Sequence, residues 1–270
     1  MPEIALGELV RYLDEYLKVR EVPDEPNAVN GLQVENGSGK AGRIVAAVDA
    51  TLESILAAGP GGGGGEEERG GVHHSAGTLL LVHHGLFWDG NLPVTGRRYR
   101  RVRALLDRDI ALYSAHIPLD VHPDVGNNAL LARGLGLVEP VPFDVYRGIS
   151  IGVQGRLEPP LAREALVARA EQLLSSPARL IPGGPALARR IGIITGGAGG
   201  RIGAAREAGL DTYLTGEGAH HTYFDAMEFG VNVIYAGHYA TETLGVKAMA
   251  AHLAERFGIP WEFHDHPTGM

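Results

Sequence analysis

The chain has 270 residues, 44% of them apolar and 21% charged, with a formal net charge of −8. That is the composition of a folded protein with room for two domains, and it excludes a disordered chain. There is no cysteine, which rules out a disulfide framework, a thiolate metal site and a cysteine nucleophile together. The acidic total weighs against a surface devoted to phosphate backbones, although Lys supplies only three of the 24 basic residues and the many Arg leave room for a local patch.

In chain order, Leu6, Leu9, Val10, Leu13 and Leu17 fall at helical spacing, so the opening segment reads as an amphipathic helix and not as a signal peptide. No stretch approaches the ~18 apolar residues of a membrane span. A reducing cytoplasm suits the missing cysteines. RIVAAVDA (43–50) is a predicted strand, followed by a helical TLESILAAG. A low-complexity loop, 59–77, holds the polyglycine run at 60–65 and a solvated His73 and His74. LLLVHH (79–84) resumes the sheet, RVRALLDR is a helix, IALYSAHIPLD (110–120) is strand then turn, and GNNALLARGLG is a short helix.

The order then repeats. RIGIIT (190–195) is a strand, with a Gly-rich turn and the helix RIGAAREAG behind it. LDTYLTGEGAHH (210–221) is a strand ending in polar residues. VNVIYAGHYATE (231–242) is strand then turn, and TLGVKAMAAHLAERFG is an amphipathic helix. YSAHIPLD (113–120) echoes YAGHYATE (235–242): each has a Tyr, two small residues, a His and an acid four positions later. The fold class expected is α/β, as two similar lobes related by internal duplication, 1–140 and 141–270. The Pro-rich LVEPVPF (137–143) marks their joint.

Twelve histidines are many for this length, and they gather at predicted strand ends: His83 and His84, His116, His220 and His221, His238. Strand ends of an α/β sheet are where sites are built. Asp120, Glu217 and Glu242 accompany them. Imidazole and carboxylate without thiolate suit a divalent ion such as Zn, Mn, Fe or Co. In a regular strand His83 and His84 point to opposite faces. A turn at Gly85 lets both reach one space, each serving a different ion. His238 and Glu242, four apart, share one side of a helix that begins near Tyr239, and a carboxylate there can bridge two ions.

Other signals are left open. His252 is mid-helix, structural or exposed. HDHP (264–267) resembles a metal-binding His-Asp pair or a plain C-terminal segment. TGGAGGRIG (195–203) follows a strand and opens a helix, as a phosphate-cradling turn does, yet Ile202 stands where the last glycine of G-x-G-x-x-G would be, and a tight turn accounts for it as well.

NGLQVEN (30–36), VDAT (48–51), LLLVHHGLFW, YSAHIPLDVHPDVGNNALL (113–131), TGEGAHH (215–221) and GHYATETLGV (237–246) together resemble the NIF-three-like family of dinuclear metal centre proteins, whose members carry the name GTP cyclohydrolase 1 type 2 homologue. The resemblance runs over nearly the whole chain. It implies two α/β lobes with a two-metal site in the cleft between them, and a toroidal homohexamer. It implies His83, His84, Asp120, His238 and Glu242 as ligands of two divalent ions, with Glu242 as the bridge. His116, Glu217 and His221 are left for proton transfer or for orienting the ligands. Relatives with an extra domain between the lobes differ from this chain, which has only a short segment there, about 141–190. The function implied is hydrolysis of a nucleotide-like or phosphorylated small molecule. The alternative is a ring-shaped nucleic-acid-binding or regulatory scaffold whose metals are structural, and a metal chaperone ranks third.

Overall fold

A computed structural model describes residues 2–59 and 77–269. The polyglycine run, His73 and His74 lie outside the described residues. In chain order the elements are β1 (Ile4–Ala5), α1 (Leu6–Tyr16), β2 (Gly31–Val34), β3 (Lys40–Ala41), β4 (Arg43–Asp49), α2 (Leu52–Ala57), β5 (Thr78–His84), α3 (Gly96–Asp107), β6 (Ile110–Ser114) and α4 (Ile117–Asp120). They continue with α5 (Asn127–Gly134), β7 (Val138–Tyr146), β8 (Ile149–Ala162), α6 (Arg163–Leu174), β9 (Arg179–Pro182), β10 (Leu187–Ile193), α7 (Ile202–Glu207), β11 (Thr212–Thr215), α8 (Thr222–Phe229), β12 (Asn232–Tyr235), α9 (His238–Phe257) and β13 (Trp261–Phe263).

The chain forms two compact units. The first comprises residues 1–119 and 246–266, the second 120–245 with the last residues 267–270. A single division near residue 140 does not describe them, because the chain returns to the first unit after completing the second.

The first unit is built on a five-stranded sheet of order β13-β4-β5-β6-β2. β13, β4, β5 and β6 run parallel and β2 is antiparallel at the edge. Alternation explains the strands. Val45, Ala47, Leu80, Val82, Ile110 and Leu112 turn to one face and pack with Ile55 of α2 and Ala104 and Leu105 of α3. β5 is the central strand, and Leu79, Leu80, Leu81 and Val82 are fully buried. A strand covered on both faces is a continuous apolar run, which is why TLLLV carries no polar residue after its first.

The second unit holds a six-stranded sheet of order β7-β8-β10-β11-β12-β9. Its β10, β11 and β12 are parallel, while β8 and β9 are antiparallel on either side. Helices cover both faces. Leu131 and Leu166, from α5 and α6, pack with Ile191, Leu214 and Ile234, and Ile202, Ala205 and Ala226, from α7 and α8, pack with Tyr213 and Val233. The Pro-rich segment predicted to be a joint is β7, paired antiparallel with β8. Pro140 and Pro142 are tolerated because β7 is the edge strand, where a missing N–H costs no ladder bond. Residues 141–190 therefore hold most of the β7–β8 hairpin, α6, β9 and the start of β10. Among the described residues no helix is long and apolar enough to cross a membrane.

Candidate metal centre

In the first unit the histidines cluster where the parallel strands end. β5 runs through both His83 and His84, without the turn expected at them, and Asp49, last in β4, lies opposite His84 in the ladder. Alternation alone would separate the two rings, yet their centroids are 4.8 Å apart. Each ring is anchored on a different neighbour. His83 Nδ1 donates to the Ala115 carbonyl at 2.9 Å, beyond the end of β6. His84 Nδ1 donates to Asp49 Oδ1 at 2.9 Å, on the β4 side.

His116 joins them. Its ring lies 5.0 Å from that of His83 and 5.6 Å from that of His84, and Trp88 meets it edge-on at 4.7 Å. One nitrogen from each of His83, His84 and His116 falls within 4.8 Å of the other two, close enough to share a divalent ion. His116 Nδ1 donates to Asp24 Oδ1 at 2.8 Å. Burial pushes the Asp24 carboxyl up, but the His116 hydrogen bond and charge, with donors from Asn30 and Glu25, hold it below the usual carboxylate range.

In the second unit the Glu217 carboxylate follows β11 and His238 opens α9. His238 Nδ1 donates to Glu217 Oε1 at 2.8 Å, and its Nε2 lies 3.1 Å from Glu242 Oε1, one helical turn on. Burial lowers the affinity of His238 for a proton. The hydrogen bonds and charges of Glu242 and Glu217 overcome it and lift the pKa to about 9. Without a metal this pocket holds a proton, which is what two carboxylates around an imidazole demand of any available cation.

Asp120 is fixed by Asn127 Nδ2 at 2.8 Å and Thr195 Oγ1 at 3.2 Å. The Gly-rich turn proves to be a tight turn whose backbone is in use: Thr195 N–H donates to Asn128 and Gly196 N–H to Thr241. Gly196 has φ +70°, and a Cβ there would come within 2.2 Å of Glu242 Oε1. The glycine is required so that the chain can pass against the buried carboxylate.

His83, His84 and His116 meet in the first unit; His238, Glu242 and Glu217 meet in the second, where Asp120 is held separately by Asn127 and Thr195. His221 is exposed, at the residue before α8. His252 stacks on Tyr16 with centroids 4.4 Å apart, a structural role. In HDHP, His264 faces Glu262 and His266 faces Glu53, so the segment gathers no common ligand set. Sequence reasoning missed Asp24, Asn127, Asn128 and Thr195, and gave Asp49 no role. Asp49 had a signal, a lone carboxylate closing an apolar strand. Asp24 had none, since it lies in an irregular stretch 92 residues before its partner.

A feature shared by the four imidazoles decides the chemistry. In His83, His84, His116 and His238 the Nδ1–H is donated to a carbonyl or carboxylate oxygen. When such a ring is neutral its lone pair is on Nε2, the arrangement found behind metal-binding histidines; in metal-free His238 that nitrogen is engaged with Glu242. These residues fit a divalent cation.

The model of the Duf34/NIF3 (NGG1p interacting factor 3) family matches residues 70–268. The chain belongs to that family. A relative from Deinococcus radiodurans, a GTP cyclohydrolase 1 type 2 homolog, is 44% identical over 268 residues, which cover 99% of this chain and 95% of its own. Among solved structures, protein ybgI superposes with a TM-score of 0.86 at 32% identity, covering 99% of this chain and 100% of that one. TTHA1606 from Thermus thermophilus gives 0.82 at 40% identity, with the same coverage. The relatives at 44% and 40% identity each cover 99% of this chain.

Proposed function

We propose that this family member is a dinuclear metal-dependent hydrolase acting on a nucleotide-like or phosphorylated small molecule. The observation that carries the reading is the common orientation of four imidazoles, each donating Nδ1–H to an oxygen, which assigns metal binding to Nε2; in His238 that nitrogen faces Glu242. His83, His84, Asp120, His238 and Glu242 would hold two divalent ions in a cleft between the two α/β lobes, which would have arisen by duplication. The three-stranded parallel core common to both sheets supports that origin. When bound, two such ions lower the pKa of water and polarise a scissile group.

The protein's own residues do the rest. Asp49 and Glu217 fix the ring planes of His84 and His238. Asp24 accepts from His116 Nδ1 and fixes the plane of that ring, the candidate for proton transfer. Glu242, buried at the start of α9, supplies a carboxylate that Gly196 leaves room for. Assembly into a homohexameric ring belongs to the same proposal.

The test is hydrolysis of a nucleotide and phosphoester panel by metal-free protein reloaded with Zn, Mn, Fe or Co. Turnover should return with metal, and Asp120→Ala and Glu242→Ala should lose it. Turnover in protein shown to be metal-free would overturn the reading.

A second reading, a nucleic-acid-binding scaffold, draws on α3, where Arg97, Tyr99, Arg100 and Arg103 are exposed. It requires binding of single-stranded DNA that weakens steeply with salt. No binding at low salt excludes it.

A further inference from the structure

In the first unit α3 links the parallel strands β5 and β6, so it begins at the carboxyl end of the sheet, where His83, His84 and His116 gather. Arg97 and Arg101 lie in its first two turns, four apart, and share one side of the helix. Their surroundings differ. Arg97 is exposed and pairs with Asp89 at 3.2 Å. Arg101 is half-buried, and its Nε is closed to solvent with no hydrogen-bond partner among the described residues.

Two carboxylates act on Arg101, and each already has a partner. Asp89 holds Arg97 and Arg98, and Asp49 Oδ1 accepts from His84. Burial works against the Arg101 charge and Arg97 adds a like charge. Asp89 and Asp49 offset only part of this, so the pKa falls below the ordinary guanidinium value. A guanidinium stays protonated even so. The helix therefore carries a half-buried positive charge beside the histidines, an arrangement that is costly until an anion completes it.

A second donor stands at the same place. The Trp88 ring meets His84 and His116 edge-on, at 5.6 and 4.7 Å. Its Nε1–H, also closed to solvent, has no acceptor among the described residues. An indole nitrogen can only donate. An oxyanion answers both groups at once, since its oxygens accept and its charge is negative.

We infer that Arg101 holds an oxyanion of the substrate, a phosphate or a carboxylate, beside His84, with the Trp88 Nε1–H as a second donor. The inference rests on the metal-dependent reading above, in which His84 is a ligand. It adds the residues that fix where the negative end of the bound molecule lies.

The probes are inorganic phosphate and acetate, titrated at constant ionic strength into the metal-free full chain labelled with 5-fluorotryptophan. The chain has two tryptophans, and Trp261→Phe assigns their ¹⁹F signals. One or both anions should move the Trp88 signal saturably and leave that of Trp261 in place. Arg101→Met should raise the half-saturating concentration at least tenfold, as loss of a charged hydrogen bond does. Arg101→Lys, which keeps the charge and loses the fork, should raise it roughly threefold, and it decides the matter if Arg101→Met does not fold. Arg103→Met, at an exposed position of the same helix, should match wild type. No saturable shift with either anion in wild type overturns the inference, as does wild-type affinity in both Arg101 variants. Equal loss in Arg103→Met shows diffuse attraction by the helix and overturns it too. None of these readings needs turnover. Saturable binding that depends on Arg101, in protein that turns nothing over when reloaded with Zn, Mn, Fe or Co, supports the anion site and contradicts the hydrolase reading, so the two failures are told apart.

Discussion

An imidazole offers a metal one nitrogen, and what the other nitrogen does decides which one and how firmly. Asp49, Asp24 and Glu217 take that second role here, and their removal has a stated cost. Asp49→Asn and Asp24→Asn should weaken divalent metal affinity by roughly 10–100-fold while leaving the ligands in place. Competition titration with a chromophoric chelator measures it, and wild-type affinity in both variants would show that these carboxylates serve only the fold. His238 gives a second prediction. In metal-free protein its folded pKa of about 9 stands above the ordinary 6.5. The stabilisation is therefore fully present below about pH 6.5 and lost as pH rises through 9. NMR titration of the ring should show Glu242→Gln moving the midpoint down. An unchanged midpoint would mean that Glu242 does not set it.

At the scale of elements, the parallel strands bring the histidines together, and the turn after β10 admits Glu242. Gly196→Ala places a methyl 2.2 Å from Glu242 Oε1, at a left-handed φ that alanine resists. It should cost about 1–3 kcal/mol in stability and displace the carboxylate. A lowered Tm together with loss of bound metal checks this, and unchanged metal content would show that Glu242 is not a ligand. The buried strands were legible because covered parallel strands are plain apolar runs, as in Leu79, Leu80, Leu81 and Val82 of β5 and Val233 and Ile234 of β12. β2, β9 and β13 were not, since each is three or four residues long and defined by pairing with distant partners. The β7–β8 hairpin was hidden by its prolines, which signal a break unless the strand is known to be an edge. Of the site, the histidines and Glu242 could be read from spacing. Asp24 and the Asn127–Asn128 pair could not, because what they hold is chosen by the folded chain.

At the scale of the molecule, two α/β units each end a parallel sheet in polar side chains of complementary kinds. The first offers three imidazoles; the second offers an imidazole and carboxylates. Neither set alone supplies the five ligands proposed for two ions, so the account requires both units to contribute. Counting metal per chain by elemental mass spectrometry tests this most directly. The account predicts two divalent ions in wild-type protein, and no more than one in either His84→Ala or Glu242→Ala, changes made in different units. Full occupancy retained in both variants, or wild-type protein that takes up no ion when offered Zn, Mn, Fe and Co, would contradict it.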